Sequence, residues 1–330
     1  MMKLATLWMV DRTVDGTWRS PVATELFRRW SDDGEPLMLR SSANFVYVVR
    51  YRGERSVLRF AHASERSREQ IEQEMRLLGW LDQTGLVVNL PIPSRAGEVV
   101  ESVETASGMF HAVLLTALPG EHLDIESLAP SEFDTWGAMV GRLHASFNDL
   151  PGDLRRPPDW PGVLAAASAD QGPSAGLLAR ESAALERALA RLPLECDTYG
   201  PIHTDLELDN LLWNGDRFGM VDFDEYTTGW RAADIAKALN DLFDLGAGLD
   251  DPRLRAFVAG YRSYLPLDDD ALAALPTFTR LFDLGMYLRL QRALADPLDA
   301  DGERRLAALI GRLRAWVERY EQRTAARHQT

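Results

Sequence analysis

Residues 202–224 read I-H-T-D-L-E-L-D-N-L-L-W-N-G-D-R-F-G-M-V-D-F-D, and within them Asn214-Gly215 separates two short apolar runs, 211–213 and 218–223. A tight primed turn needs two residues that tolerate positive φ, which Asn-Gly supplies. The spacing predicts a β-hairpin whose open end brings Asn210 beside Asp222, with Asp205 on the loop leading into that end. An amide oxygen and a carboxylate side by side, with a further carboxylate close by, make a hard oxygen site suited to magnesium. Two like charges about 4 Å apart repel by roughly 4 kcal/mol at an effective dielectric of about 20, so the cluster calls for a cation.

His203-Thr204-Asp205, then Asn210, then Asp222-Phe223-Asp224 resemble the H-x-D-x-x-x-x-N catalytic loop and D-F-G-like metal strand of kinases, in the spelling of the aminoglycoside phosphotransferase and choline kinase superfamily. The resemblance implies an α+β, two-lobed protein-kinase-like fold: a small antiparallel sheet lobe with one key helix, and a larger, mainly helical lobe. It implies Asp205 as catalytic base for an acceptor hydroxyl, and Asn210 and Asp222 as the residues holding Mg²⁺ on the phosphates of a nucleotide, ATP or GTP. The family loop often reads His-Gly-Asp; Thr204 stands here in place of the glycine and reads as tolerated variation.

A chain of 330 residues exceeds the usual size of a single core, so two lobes are the natural division. The strand-rich part gives way to helix at Pro119-Gly120, which sets the expected domains at 1–118 and 119–330. A net charge of −14 argues against nucleic acid or an anionic membrane as partner and favours cationic ligands. Of the 36 lysines and arginines only Lys3 and Lys237 are lysine, a bias to which the sequence alone gives no functional weight. The single cysteine, Cys196, excludes an internal disulfide and any multi-cysteine zinc site, and fits a reducing cytoplasm. The apolar run 4–10 is short and closed by Asp11 and Arg12, so it reads as structure rather than as a signal peptide. No apolar segment approaches membrane-spanning length, which predicts a soluble protein.

Taken in order, residues 1–35 hold one amphipathic candidate helix after Pro21. Strands are expected at 37–39, 45–51 and 56–60, with Arg52-Gly53-Glu54 as a turn, and again at 87–92 and 110–118, about five in all. The small residues of 40–44 make a turn whose backbone N–H groups suit close approach to phosphate; by the resemblance, Ser41, Ser42 and Asn44 lie in the nucleotide loop. Helix 67–81 places Glu74 on the same face as Ile71, Met75 and Leu78. A carboxylate on a core-facing stripe needs a partner, and Arg59 is the natural one. The resemblance puts Arg59 in the place of the kinase lysine on the α- and β-phosphates, Arg59–Glu74 in the place of the Lys–Glu pair, and the adenine-binding hinge at Thr116 to Leu118. Residues 148–175 read as a long, irregular and mobile insertion, and the apolar positions of 306–320, Trp316 among them, as one strict face. His144 and His203 read as structural hydrogen-bonding residues, and the resemblance gives Asp234 the task of bracing the catalytic loop.

The sequence therefore predicts an ATP- and Mg²⁺-dependent phosphotransferase acting on a hydroxyl of a small molecule. Glu207, Asp209, Asp224 and Glu225 add negative charge around Asp205, which favours an amine-bearing acceptor such as an aminoglycoside, a peptide antibiotic or an amino alcohol; each also reads as a solvated or supporting group. Two alternatives stand beside it: a protein or peptide Ser/Thr kinase on the same fold, and a nucleotide-binding pseudokinase that scaffolds a partner. The acceptor, the choice of ATP or GTP, and the oligomeric state stay open.

Overall fold

The computed structural model describes residues 1–330 apart from Leu249 and Thr330. The alternating pattern that begins at Leu37 forms β1 (Leu37–Ser41), β2 (Phe45–Tyr51) and β3 (Glu54–His62), all antiparallel neighbours. Tyr51 pairs with Glu54 across Arg52-Gly53, whose φ angles of 52° and 87° make this the primed two-residue turn of the chain. β4 (Pro91–Ile92), β5 (Glu101–Thr105) and β6 (Gly108–Thr116) complete a six-stranded sheet in the order β1-β2-β3-β6-β4, with β5 also on β6. The strand expected over 87–92 shrinks to two residues. β5 was not expected: E-S-V-E-T buries only Val103 and Thr105, so its apolar alternation is too thin to stand out.

One face of the sheet buries Phe45, Tyr47, Leu58, Phe60 and Phe110, with Phe45 stacked on Phe60 at 5.1 Å. The helix Arg68–Gln83 buries Ile71, Met75 and Leu78, and Glu74 on the same stripe.

The chain forms two compact units, one of Met1–Trp80, Asn89–Ala117 and Tyr287–Gln322, the other of Leu81–Val88, Leu118–Met286 and the chain from Arg323. These are discontinuous in sequence, unlike the expected division at 118/119. The reason lies in the N-terminal run, which forms the helix Leu4–Asp11. Trp8 Nε1 donates to Asp299 at 3.2 Å, Lys3 pairs with Asp296 at 2.9 Å, and Gly302 leaves room for the Trp8 indole. Residues 287–322 thereby join the sheet-bearing unit. Within them the strict apolar face is broken at Trp316, which is 44% exposed.

In the second unit the helices Pro130–Phe147 and Pro252–Arg262 meet backbone to backbone. A Cβ on Gly137 would lie 1.9 Å from the Phe257 carbonyl oxygen, and one on Gly260 1.9 Å from that of Asp134. Gly137→Ala is therefore expected to lower stability by at least about 1–3 kcal/mol, read as a lower urea midpoint. Residues 148–175 are less irregular than the composition suggests. They hold the helix Trp160–Ser168, Tyr226 donates to the Leu154 carbonyl at 2.9 Å, Thr227 donates to that of Pro157 at 2.7 Å, and Trp160 packs on Trp230.

Two short ribbons complete this unit: β7 (Tyr199–Ile202) with β10 (Thr227–Trp230), and β8 (Leu211–Trp213) with β9 (Phe218–Met220). The hairpin β8–β9 is present, but its turn is a four-residue loop, since Trp213 pairs with Phe218. Only Gly215 has positive φ, at 105°; Asn214 instead accepts the N–H groups of Asp216 and Arg217 through its side chain. That Asx geometry competes with the primed turn for the same residue pair. Among the described residues no helix is long and apolar enough to cross a membrane.

Candidate active site

β7 ends at Ile202 and delivers His203, Thr204 and Asp205 into a loop; the β8–β9 register then returns the chain beside it. Leu211 pairs with Met220, and Val221 N–H donates to the Asn210 carbonyl at 3.0 Å. Asn210 thus sits at the open end of the hairpin, next to the strand end that carries Asp222. Its buried amide Nδ2 donates both to the Asp205 carbonyl (3.0 Å) and to Asp205 Oδ2 (2.7 Å), which fixes the carboxylate and turns Asn210 Oδ1 away from it. His203 links loop to strand, accepting from Asp205 N–H at Nδ1 (3.2 Å) and donating from Nε2 to the Val221 carbonyl (3.2 Å).

Asp234, fully buried on the helix Arg231–Ala238, braces this loop. It accepts the N–H groups of His203 at 2.7 Å and Thr204 at 2.6 Å, and a third bond at 3.0 Å from His144 Nε2. Burial holds the His144 pKa below its usual value despite Asp234, so the ring is neutral, with Nε2–H directed at Asp234 and Nδ1 accepting from Tyr261 OH at 2.9 Å. The glycine-lined helix contact is what brings Tyr261 to His144. Both histidines are therefore structural.

Aiming the Thr204 N–H at Asp234 requires φ of 76°. That left-handed conformation suits glycine and strains a β-branched residue, which is the physical sense of His-Gly-Asp and shows that the threonine is tolerated at a cost. Thr204→Gly is expected to raise stability by up to about 1.5 kcal/mol: strain of about 1–2 is relieved, less the extra unfolded-state entropy of glycine, about 0.5–1. A higher unfolding midpoint checks it.

The charge around Asp205 differs from the sequence expectation. Lys237, one turn beyond Asp234, places Nζ 2.8 Å from Glu207 Oε1 and 3.3 Å from Asp205 Oδ1. Burial opposes its charge, but Asp205 and Glu207 outweigh that and hold its pKa above the usual value. Burial pushes the Glu207 carboxyl up while Lys237 draws it back. The cation demanded by the carboxylate cluster is thus in part supplied by the protein, and Glu207 is a partner of Lys237 rather than a bare acid. Asp209 and Glu225 are exposed and Asp224 is half-buried. Arg156, stacked 3.9 Å from the Tyr226 ring, donates to the Asp224 carbonyl at 2.7 Å and secures the segment after Asp222. Sequence reasoning missed Lys237 and Arg156; the signal for the former was a lone lysine in a chain that otherwise relies on arginine.

In the first unit Arg59 donates to Glu74 Oε1 at 2.7 Å, as the helix pattern implies, and Arg66, not foreseen, donates to Oε2 at 3.1 Å. Arg59 and Glu74 are buried. The turn between β1 and β2 is closed by hydrogen bonds: Ser41 pairs with Phe45, Ser42 N–H is bonded to the Asn44 carbonyl (3.2 Å), and the Ser42 carbonyl accepts from Met2 N–H (2.8 Å). Thr116 is likewise engaged, its N–H with the Leu90 carbonyl and its hydroxyl with Leu90 N–H, both at 2.9 Å. Neither Ser42 nor Thr116 therefore offers its backbone N–H as the resemblance implied. Leu118 begins the next segment of the second unit.

Among the described residues no group of three or more His, Cys, Asp or Glu forms a metal cage. An amide oxygen from Asn210 and a carboxylate from Asp222 are nonetheless hard donors of the kind magnesium takes together with phosphate and water. The residues fit such an ion.

A small antiparallel sheet with a buried cation–carboxylate pair, and a loop presenting one braced aspartate beside an Asn/Asp pair, define a protein-kinase-like phosphotransferase. The chain belongs to the phosphotransferase enzyme family, whose model matches residues 38–267, and it is a kinase. A homoserine kinase of Gluconacetobacter diazotrophicus is 34% identical over 227 residues, covering 63% of this chain and 68% of that protein. Among solved structures, a microcompartment-associated aminopropanol kinase superposes with a TM-score of 0.66 at 26% identity, covering 92% of this chain and 98% of the other. An amicoumacin kinase in complex with AMP-PNP, Ca²⁺ and Ami gives a TM-score of 0.73 at 24% identity, covering 92% and 93%.

Proposed function

We propose that the protein transfers the γ-phosphoryl group of ATP, with Mg²⁺, to a hydroxyl of a small amine-bearing molecule, in chemical class an amino alcohol. The observation that carries this reading is the Asp205 carboxylate, oriented by Asn210 at Oδ2 and by Lys237 at Oδ1, on a loop locked by Asp234. Such a group can orient an acceptor hydroxyl and take its proton as the oxygen attacks phosphorus. Asn210 and Asp222 would hold Mg²⁺, which when bound neutralises phosphate charge. In the first unit Arg59, oriented by Glu74, is the proposed phosphate-contacting residue. Homoserine and aminopropanol, named for two similar proteins, each carry an amine and a hydroxyl, and exposed Asp209 and Glu225 with half-buried Asp224 give an ammonium favourable surroundings.

The test is nucleotide consumption, with ATP and GTP in turn, across amino alcohols, aminoglycosides, peptide antibiotics, neutral sugars and a basic protein. Stimulation by one amine-bearing hydroxyl compound is expected. Stimulation by the protein alone, or binding of nucleotide with no stimulation by any compound, contradicts the proposal and favours a protein kinase or a scaffold respectively.

A further inference from the structure

Lys237 has a place that bracing of the loop does not account for. Asp234 already holds the loop backbone at two N–H groups, and Lys237, three residues on along the same helix, reaches instead to the carboxylates of Asp205 and Glu207. It is the only lysine beyond residue 3. A compact ammonium with freely rotating donors can sit between two carboxylates and still turn a proton toward a third oxygen. Its side chain is 20% exposed, enough to meet a ligand and enclosed enough for its charge to act strongly. A hydroxyl engaged by Asp205 Oδ1 binds an atom 3.3 Å from Nζ, so the flexible Lys237 side chain can reach it and the phosphoryl group it attacks by rotation. The acidic groups facing Lys237 are Asp205, Glu207 and, through its effect on Glu207, Asp241.

We propose that Lys237 is a catalytic residue of phosphoryl transfer, its ammonium stabilising the negative charge that gathers on the transferred phosphoryl oxygens. This rests on the function proposed above. In the step, the acceptor oxygen–phosphorus bond forms, the bond from phosphorus to the bridging oxygen of the nucleotide diphosphate breaks, and the acceptor proton passes to Asp205. Lys237 keeps its proton throughout, and Glu207 holds it in place between turnovers.

The test compares wild type with Lys237→Met, Lys237→Arg and Lys237→Ala. In Lys237→Met kcat should fall by about 10²–10³-fold, the scale of losing one preorganised charge donor, and in Lys237→Arg, which keeps the charge, by less, with nucleotide Kd and acceptor KM within about threefold in both. Ethylammonium should partly restore turnover to Lys237→Ala. An unchanged kcat, a loss confined to acceptor KM, or a loss that follows the unfolding midpoint and resists ethylammonium overturns the proposal. Should wild type itself turn over no compound, the failure belongs to the function proposed above, and Lys237 is judged on Mg²⁺–ADP with aluminium fluoride, a mimic of the transferring phosphoryl. Affinity for the mimic falling at least about 10²-fold in Lys237→Met, with ADP affinity kept, supports the role, and equal affinity for the mimic refutes it.

Discussion

In Asp205→Ala, acceptor-stimulated turnover falls by about 10²–10⁴-fold, the range for loss of a positioned general base, while nucleotide binding stays within about twofold. The geometry separates the two effects. Asp205 is held by Asn210 at 2.7 Å and by Lys237 at 3.3 Å, whereas the loop backbone is fixed by Asp234, which the substitution leaves in place. The loop should therefore persist, with Lys237 retaining Glu207 at 2.8 Å as partner. Single-turnover kinetics on variant and wild type, with a nucleotide titration of both, check this. A variant that keeps wild-type kcat shows that another group takes the proton.

Glu74→Ala is expected to be the most destabilising of the substitutions considered, by about 3–5 kcal/mol, because it removes one side of a buried ionic cluster and leaves the other. Arg59 and Arg66 both donate to Glu74, at 2.7 and 3.1 Å, and the Glu74 side chain has no exposed surface. Two guanidinium groups would then lose the buried carboxylate they share. Because Arg59 is the proposed phosphate contact, nucleotide affinity should fall as well. Chemical denaturation with and without nucleotide measures both. A loss near that of an ordinary surface substitution, within about 0.5 kcal/mol, would mean that the arginines find water or another acid.

Much of this site could be read from the chain because its parts are close in sequence. His203 to Asp222 span one loop and one hairpin, so residue type and turn chemistry report on geometry directly. Glu74 betrayed itself by breaking an apolar stripe, a local conflict that only a partner resolves. The turn at Asn214 was misread because the same residue serves a primed turn and an Asx turn, and the flanking runs do not decide between them. Lys237 was missed for a different reason. It comes to Asp205 from a helix some thirty residues further on, a contact that no periodicity encodes, and its only trace was its rarity. The helix within 148–175 and the joining of 287–322 to the N-terminal segments are accompanied by contacts between residues far apart in sequence, such as Thr227 to Pro157 and Trp8 to Asp299, which no local pattern reports. The strain at Thr204 became visible only with its φ angle.

The most direct test of the central claim is ³¹P NMR of the product formed from ATP and the amino alcohol that best stimulates turnover. The account predicts a phosphomonoester on the acceptor oxygen, formed in step with ADP and lost in Asp205→Ala. Inorganic phosphate alone, or phosphorus bonded to the amine nitrogen, would contradict it.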